Sequence, residues 1–224
     1  MKAVIFDSGT LITLSMNNLL DMLRDLKRNF SGKFIITKEV ENEIVSRPLR
    51  IPQFKLGAIR LRELINDKVL EFPDVLGIKH DDIFKLTNIL LKEANSIFTA
   101  DKNPVHIVDQ GEASVLALSK LLYEKNIENL IAIDERTTRM LCERPENLRK
   151  LLENKLHTKV KQQKQISNSF HKAVFIRSTE LIYVAYKKGI IPKDKELLDA
   201  MLYGAKFKGA AISGDEIREI ERMS

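Results

Sequence analysis

The chain has 224 residues, 44% of them hydrophobic and 30% charged, which excludes a disordered protein and predicts a folded one with a sizeable core. Lysine and arginine total 37 against 31 aspartate and glutamate, and this net charge of +6 favours a polyanionic partner without identifying one. The single cysteine, Cys142, fits a reducing, cytoplasmic setting, and we expect it to be buried in a helix. No segment approaches the roughly 20 apolar residues that span a bilayer, so we expect no membrane association.

The chain begins with two strand-turn-helix units. Apolar residues 3–6 predict a buried strand that ends in Asp7 and leads into a helix over residues 11–28. Residues 34–36 predict a second strand, and the helix after it carries Glu43. The pattern that follows predicts a helix, a short strand, a helix and a polar turn, over residues 52–65, 69–72, 81–97 and 101–104.

A strongly apolar helix then opens at Gly111 and Glu112, and residues 130–133 predict a strand that ends at Asp134. Strands that alternate with helices imply a parallel sheet covered by helices on both faces. The sequence therefore predicts an α/β core.

The pattern changes beyond Pro145. Residues 146–156 predict a basic amphipathic helix, and the polar, lysine-rich stretch at 157–165 has room for one last short strand. From residue 173 onward the pattern is helical, with residues 189–192 separating two segments. We therefore predict a core domain and a helical extension packed on it, over residues 1–165 and 166–224.

Four acidic residues carry the candidate chemistry: Asp7, Glu43, Glu112 and Asp134. Asp7 and Asp134 end two predicted parallel strands, where open α/β sheets bind their ligands. Glu43 and Glu112 lie on helices from which both can face the same crevice. Four converging carboxylates repel one another unless a divalent cation neutralises them. Carboxylate oxygens without histidine or cysteine select magnesium or manganese rather than zinc.

Each of these residues also has a purely structural interpretation. Asp7 and Asp134 can be ordinary caps at strand-to-helix turns, and Glu112 can simply favour a helix N-terminus through the helix dipole. Glu43 shares a charged helix face with other glutamates, but it precedes an apolar pair and so lies at the boundary of the buried face. Asp109 is a further candidate ligand that can also serve only as a helix cap.

Four segments resemble, in order, the acidic motifs of PIN-domain proteins: residues 4–11, 37–44, 111–118 and 131–134. The resemblance extends to about Pro145 and implies a three-layer α/β/α fold whose central parallel sheet has the strand order 3-2-1-4-5. With residues 189–192 further on, the chain looks like an archaeal or bacterial branch of PIN proteins with a C-terminal helical extension. It looks less like the shorter VapC toxins, with which it would share the ribonuclease fold.

The resemblance implies metal-dependent hydrolysis of phosphodiester bonds, usually in RNA, with Mg²⁺ or Mn²⁺ as the cofactor. The implied metal ligands are Asp7, Glu112 and Asp134, with Glu43 acting directly or through water. The metal would activate a water molecule and offset charge on the phosphoryl group. Ser8 or Thr10 could hold a ligand by hydrogen bonding, and Asp109 could add to the cluster. The resemblance leaves open an antitoxin or another protein partner, and a homodimer.

Basic residues after the fourth motif are candidates for contact with RNA. Arg136 and Arg139 follow Asp134 and can contact phosphate beside the site, although a solvated helix face explains them as readily. A denser basic stretch is plausible as a surface that tracks the RNA backbone: Arg149, Lys150, Lys155, Lys159, Lys161 and Lys164. Aromatic residues are only 6% and tryptophan is absent, so base stacking is not an evident mode of recognition.

Two other functions compete with the nuclease. The segment at residues 5–11 superficially resembles the Asp-x-Asp-Gly-Thr loop of haloacid-dehalogenase-like phosphatases, but it lacks the second aspartate, which serves there as acid and base. A non-catalytic PIN scaffold that binds RNA or a protein partner is the alternative from another class. Within the nuclease class, a toxin and an RNA-processing enzyme share this chemistry and differ in substrate and partner.

Overall fold

The computed structural model describes residues 2–167, 170 and 173–223. The strands are β1 Lys2–Phe6, β2 Lys33–Ile35, β3 Phe98–Ala100, β4 Asn103–Pro104, β5 Glu128–Ala132, β6 Val160–Gln162 and β7 Phe175–Ile176. The helices are α1 Ser8–Met16, α2 Leu20–Arg28, α3 Lys38–Glu41, α4 Lys55–Asn66, α5 His80–Ala94, α6 Gln110–Glu124, α7 Arg136–Glu143, α8 Pro145–Leu156, α9 Ser178–Lys187, α10 Lys195–Phe207 and α11 Gly214–Arg222. A π-helical turn spans Asn42–Ser46, and 3₁₀ turns span Pro48–Arg50, Pro52–Phe54 and Pro73–Leu76.

A parallel sheet forms the centre of the molecule, with the strand order β2-β1-β5-β7. Ile5 pairs with Ile35 on one side and with Ile131 on the other, and all three side chains are fully buried. Their burial explains why the strands read as continuous apolar runs rather than as alternating patterns. Helices flank the sheet, and α6 packs on both β1 and β5. The predicted α/β class is confirmed, and the arrangement is consistent with three layers.

The edges of the sheet differ from the prediction, and the order 3-2-1-4-5 is not confirmed. Residues 69–72 supply only a single parallel bridge, from Glu71 to Ile35, because Pro73 at once begins a 3₁₀ turn. The last strand of the sheet is β7, which pairs with β5, so the helical pattern expected from residue 173 starts only at α9. The lysine-rich stretch does hold β6, but this exposed strand pairs antiparallel with β3 in a second sheet of order β4-β3-β6.

The single helix expected over residues 11–28 is two helices, α1 and α2. Asn18 between them has a φ of 58°, in the left-handed region, which ends the first helix. Asn17 caps that end, since its side-chain amide donates to the carbonyl oxygen of Thr13 at 2.8 Å. Sequence periodicity does not show this break, because apolar residues continue on both sides of it.

The C-terminal segment is joined to the sheet by backbone hydrogen bonds. The Ile131 N–H donates to the Val174 carbonyl at 2.8 Å, and the Ala211 N–H donates to the Asp134 carbonyl at 3.2 Å. The chain beyond the predicted boundary at residues 165 and 166 thus supplies both a strand and a contact at the end of β5. The division into a core domain and an extension stays a prediction.

Two composition-based expectations can be compared with the structure. Cys142 is buried in α7, as expected, and burial raises the pKa of its thiol to about 12, so the thiol stays protonated and unreactive at neutral pH. None of the described helices combines the length and the apolar character that crossing a bilayer requires.

Candidate functional site

Asp7 lies where β1 ends and α1 begins. Its Oδ2 accepts a hydrogen bond from the Gly9 N–H at 3.0 Å, which caps the helix. Its Oδ1 is buried and has no hydrogen-bond partner among the described residues. Burial and, to a smaller extent, the charges of Asp109 and Glu43 together raise the pKa of Asp7 to about 7, although the Gly9 hydrogen bond opposes the rise. Asp7 is therefore a helix cap with one oxygen left over for another partner.

Glu112 and Asp109 form a reciprocal cap at the start of α6. The Asp109 N–H donates to Glu112 Oε2 at 2.9 Å, and the Glu112 N–H donates to Asp109 Oδ1 at 2.8 Å. Glu112 is 8% exposed, whereas Asp109 is exposed to solvent. Burial raises the pKa of Glu112 to about 8, and the charges of Asp109, Asp7 and Glu135 add to this rise. The cap thus holds the Glu112 carboxylate in a buried position that disfavours its charged form.

Glu43 reaches the same place from the π-helical turn after α3. A Cβ at Gly111 would lie 2.6 Å from Glu43 Oε2, so the Glu43 carboxylate rests directly against the backbone of α6. A side chain at residue 111 would displace it, which explains the glycine. Burial raises the pKa of Glu43 and Asp109 adds to the rise, while a hydrogen bond with Ser8 opposes it. Glu43 is half-buried, at the boundary that the sequence predicts.

Asp134 turns to different partners. Its Oδ1 accepts the N–H of Ser178 at 2.8 Å, at the start of α9, while its buried Oδ2 has no hydrogen-bond partner among the described residues. Burial raises the pKa of Asp134, and hydrogen bonds with Ser178 and Thr13 and the charge of Arg139 oppose that rise. Other carboxylates are not among the groups that act most strongly on it.

The strand register explains this difference. Phe6 pairs with Ala132, so Asp134 stands one residue further along its strand than Asp7 does. Consecutive side chains alternate between the faces of a sheet, so this offset favours opposite directions for the two acids.

The structure thus brings together Asp7, Glu43, Asp109 and Glu112, which we call the acid cluster. Asp109, a secondary candidate in the sequence, belongs to the acid cluster, because its charge adds to the effect of burial on the pKa of each of the other three. Glu135, which the sequence analysis did not single out, also acts on Glu112. Its position directly after Asp134, in the cap of α7, was the available signal.

Hydroxyl side chains outside the acid cluster lie near its members or help to position them. Ser8 hydrogen-bonds Glu43, as expected of a residue that positions a ligand. Thr10 is fully buried, and its hydroxyl has no hydrogen-bond partner among the described residues. The hydroxyls of Thr37 and Ser114 are 2.7 Å apart in the core and tie the turn that carries Glu43 to α6. The second and third acidic segments are therefore fixed to each other by a buried hydrogen bond.

The acid cluster fits a hard divalent cation in its chemistry. It offers carboxylate oxygens alone, and the buried Asp7 Oδ1 still lacks a partner. Burial is the main cause of the raised carboxyl pKa values, and neighbouring like charges that no cation among the described residues fully offsets add to it. Within the described ranges, however, no three Asp, Glu, His or Cys side chains converge closely enough to hold one ion. A shared ion would thus require new side-chain rotamers at the longer glutamates.

The basic residues fall into two groups. Arg136 is exposed and Arg139 half-buried on α7, and burial lowers the pKa of Arg139, with the charge of Arg177 acting in the same direction. The second group is exposed on α8, on β6 and on the turn before β6: Arg149, Lys150, Lys159 and Lys161. Lys155 links α8 to the acid cluster, because its Nζ lies 3.5 Å from Glu135 Oε1, and Glu135 in turn acts on Glu112.

Comparison of the chain with protein-family models, with curated proteins and with solved structures gives no match. The resemblance to PIN-domain proteins therefore remains an expectation from the quoted segments. Any functional assignment rests on the residues and geometry described above.

Proposed function

We propose that this protein is a divalent-metal-dependent nuclease that hydrolyses RNA phosphodiester bonds. One observation carries the proposal: the carboxylates of Asp7, Glu43 and Glu112 come from three separate segments to the end of β1, where burial and then the charge of Asp109 raise the pKa of each. Strongly perturbed acids at the carboxyl end of a parallel strand are characteristic of functional sites, because a fold gains no stability from them.

The proposed cofactor is Mg²⁺ or Mn²⁺. Asp7 and Glu112 are its main ligands, Glu43 completes the site directly or through water, and Asp109 lies next to them, while the Asp134 side chain turns toward α9. Once bound, the ion supplies Lewis-acid chemistry for hydrolysis of a phosphodiester. All of these ligands must be ionised to bind it, so metal binding at neutral pH releases protons from Asp7 and Glu112.

The remaining residues bind and orient. Ser8 holds the carboxylate of Glu43, and the backbone at Gly111 leaves room for it. Lys155 balances Glu135 on the side of α8. The exposed basic residues on α8 and β6, together with Arg136 and Arg139, offer cations to the RNA backbone, with affinity that falls as salt concentration rises. This surface does not distinguish one base sequence from another, because contacts with phosphate groups carry no sequence information.

A non-catalytic RNA-binding scaffold is the second candidate. It is favoured by the same finding that complicates the nuclease: no three carboxylates among the described residues already converge on one point. In a scaffold the acid cluster would only cap helices α1 and α6, and the basic surface alone would bind RNA.

The two candidates differ in one experiment. Purified protein is incubated with single-stranded and structured RNA, in Mn²⁺ or in EDTA, beside Asp7→Asn. Asp82→Asn, which changes an exposed aspartate in the first turn of α5, is the matched control. We expect cleavage that requires Mn²⁺, disappears in Asp7→Asn and persists in Asp82→Asn. RNA that is bound but not cleaved by the wild type would favour the scaffold. Cleavage that survives Asp7→Asn would contradict the proposed site.

A further inference from the structure

A second site-like feature lies between α7 and α11. It is a cavity of about 630 Å³, within the range of pockets that bind small ligands. Arg136, Arg139 and Arg144 line it from α7 and its C-terminal end. Met140 and Ile212 form an apolar part of its wall. We call this cavity the arginine pocket.

Cations outnumber anions in the arginine pocket. Two glutamates also line it, Glu143 and Glu216. Glu216 is already occupied, because Arg177 donates to its Oε1 at 2.6 Å from behind the pocket wall. The charge of Glu216 is thus partly offset by Arg177, which it shares with Glu180, before any of the three lining arginines is counted.

The lining arginines have no such partners. Within the described part of the chain, the guanidinium groups of Arg136, Arg139 and Arg144 take part in none of the ion pairs. The Nε of Arg139 is buried and has no hydrogen-bond partner there either. A half-buried guanidinium with an unsatisfied donor is costly unless an anion reaches it. Burial lowers the pKa of Arg139 and the charge of Arg177 adds to this, while the charges of Glu143, Glu180 and Glu216 offset it only in part.

We propose that the arginine pocket binds the phosphate group of a nucleotide, either a free nucleoside monophosphate or the 5′-phosphorylated end of an RNA strand. The planar guanidinium group matches the oxygens of phosphate with paired hydrogen bonds. The cavity is much larger than a phosphate ion and leaves space for the attached nucleoside against Met140 and Ile212. No aromatic side chain lines it, so recognition depends on the phosphate and tolerates different bases.

This site is separate from the acid cluster and requires neither metal nor cleavage. Asp134 lies beside the arginine pocket. The charge of Arg139 acts to lower the pKa of Asp134, and the backbone carbonyl of Asp134 accepts a hydrogen bond from the Ala211 N–H in the pocket wall. Binding is therefore measured by calorimetry in EDTA, on the wild type and on Asp7→Asn alike. Failure of the nuclease would leave this measurement unaffected, and failure of the pocket would leave the cleavage assay interpretable.

Adenosine 5′-monophosphate is the probe, with adenosine and inorganic phosphate beside it. We expect the monophosphate to bind, adenosine not to bind, and inorganic phosphate to bind more weakly. Arg136→Gln and Arg144→Gln should each weaken binding by about tenfold, since each removes a charge-assisted contact from an exposed position. Arg62→Gln, which changes an exposed arginine on α4, is the matched control and should leave the affinity unchanged.

The source of the phosphate is identified by competition. A short RNA with a 5′-phosphate that displaces the monophosphate, where the same RNA with a 5′-hydroxyl does not, assigns the pocket to an RNA end. Monophosphate binding that neither RNA displaces assigns it to a free nucleotide. The proposal is wrong if the monophosphate does not bind, or if its affinity is the same in Arg136→Gln, Arg144→Gln and the wild type.

Discussion

The acid cluster and the Arg177 group place buried charge in the same molecule with opposite results. Arg177 is 9% exposed and pairs with Glu180 and Glu216, both at 2.6 Å. Burial alone would lower its pKa, but the two carboxylates outweigh burial and raise it. Despite burial, hydrogen bonds from Ser213 and Arg177 lower the pKa of Glu216 to about 2. Every charge in this group has a partner of the opposite sign.

The acid cluster has the opposite balance, since burial and then the charge of Asp109 raise the pKa values of Asp7 and Glu112, and the described residues offer no cation that offsets them fully. The comparison separates buried charges that hold the fold together from those that cost it stability. The first kind links β7, α9 and α11 and needs no ligand. The unpaired carboxylates of the acid cluster are explained if a bound cation neutralises them. We therefore propose a functional role for the acid cluster and a structural role for the Arg177 group.

The largest effect is expected from a substitution within the acid cluster itself. Glu112→Gln should reduce Mn²⁺-dependent RNA cleavage by about a hundredfold to a thousandfold, because it removes a buried ligand and its charge. Glu135→Gln is the matched control, since Glu135 acts on Glu112 only from a distance and balances Lys155. It should change the rate by less than about tenfold. Equal losses of cleavage activity in the two variants would show that the residues of the acid cluster are wrongly assigned.

The Arg177 group should respond in stability rather than in activity. Arg177→Met leaves Glu180 and Glu216 without their cation and should lower the free energy of unfolding by about 3 kcal/mol. Arg218→Met, which breaks an exposed pair with Asp215, should cost less than about 1 kcal/mol. Urea denaturation measures both. A loss of Mn²⁺ binding in folded Arg177→Met would contradict the division between the two groups.

The acid cluster should make the metal-free protein less stable as pH rises. Asp7 and Glu112 have pKa values of about 7 and about 8 in the folded chain, above the ordinary values of 3.8 and 4.5 for these side chains. Between these limits the folded state holds more protons than the unfolded state, so stability falls as pH increases. If the two acids titrate independently, we expect a loss of about 6 kcal/mol from about pH 5 to about pH 8 in EDTA.

Two further measurements sharpen the pH experiment. Saturating Mg²⁺ or Mn²⁺ should cancel most of the loss, because the ion stabilises the ionised carboxylates. Asp7→Asn should show a smaller loss than the wild type, because one of the two perturbed acids is gone. A stability that rises over the same range in EDTA would contradict the electrostatic description.

A smaller effect tests the contact between Glu43 and α6. Gly111→Ala places a Cβ where Glu43 Oε2 now lies, and it should weaken Mn²⁺ binding by about tenfold as the carboxylate is displaced. Gly57→Ala adds the same methyl group to α4 at an ordinary 3.5 Å from Ser15 Oγ and should leave binding unchanged. Calorimetric titration of both variants makes the comparison. Unchanged affinity in Gly111→Ala would remove Glu43 from the site.

Local sequence patterns correctly predicted the strands and helix caps that interactions between neighbouring residues determine. The run at residues 3–6 gave a buried strand because its neighbours on both sides are apolar, and Asp7 and Glu112 fall at helix starts for the reasons that favour caps. The acids expected from separate motifs lie near one another, apart from Asp134, whose side chain turns toward α9.

Long-range contacts explain what the sequence did not predict. Strand β7 is only two residues long, too short for a periodic pattern, and its place beside β5 depends on backbone hydrogen bonds from residues far away. Arg177 reads as an ordinary basic residue until α11 brings Glu216 to it. The arginine pocket likewise requires α7 and α11 to meet, which no short segment specifies.

The most direct test of the central claim is a calorimetric titration of Mn²⁺ at neutral pH, performed in two buffers with different ionisation enthalpies. We expect saturable binding with release of protons, because Asp7 and Glu112 must ionise to hold the ion. We also expect loss of that binding in Asp7→Asn and its persistence in Asp82→Asn. Absence of binding to the wild type, or binding of equal strength to Asp7→Asn, would contradict the assignment of the acid cluster as a metal site.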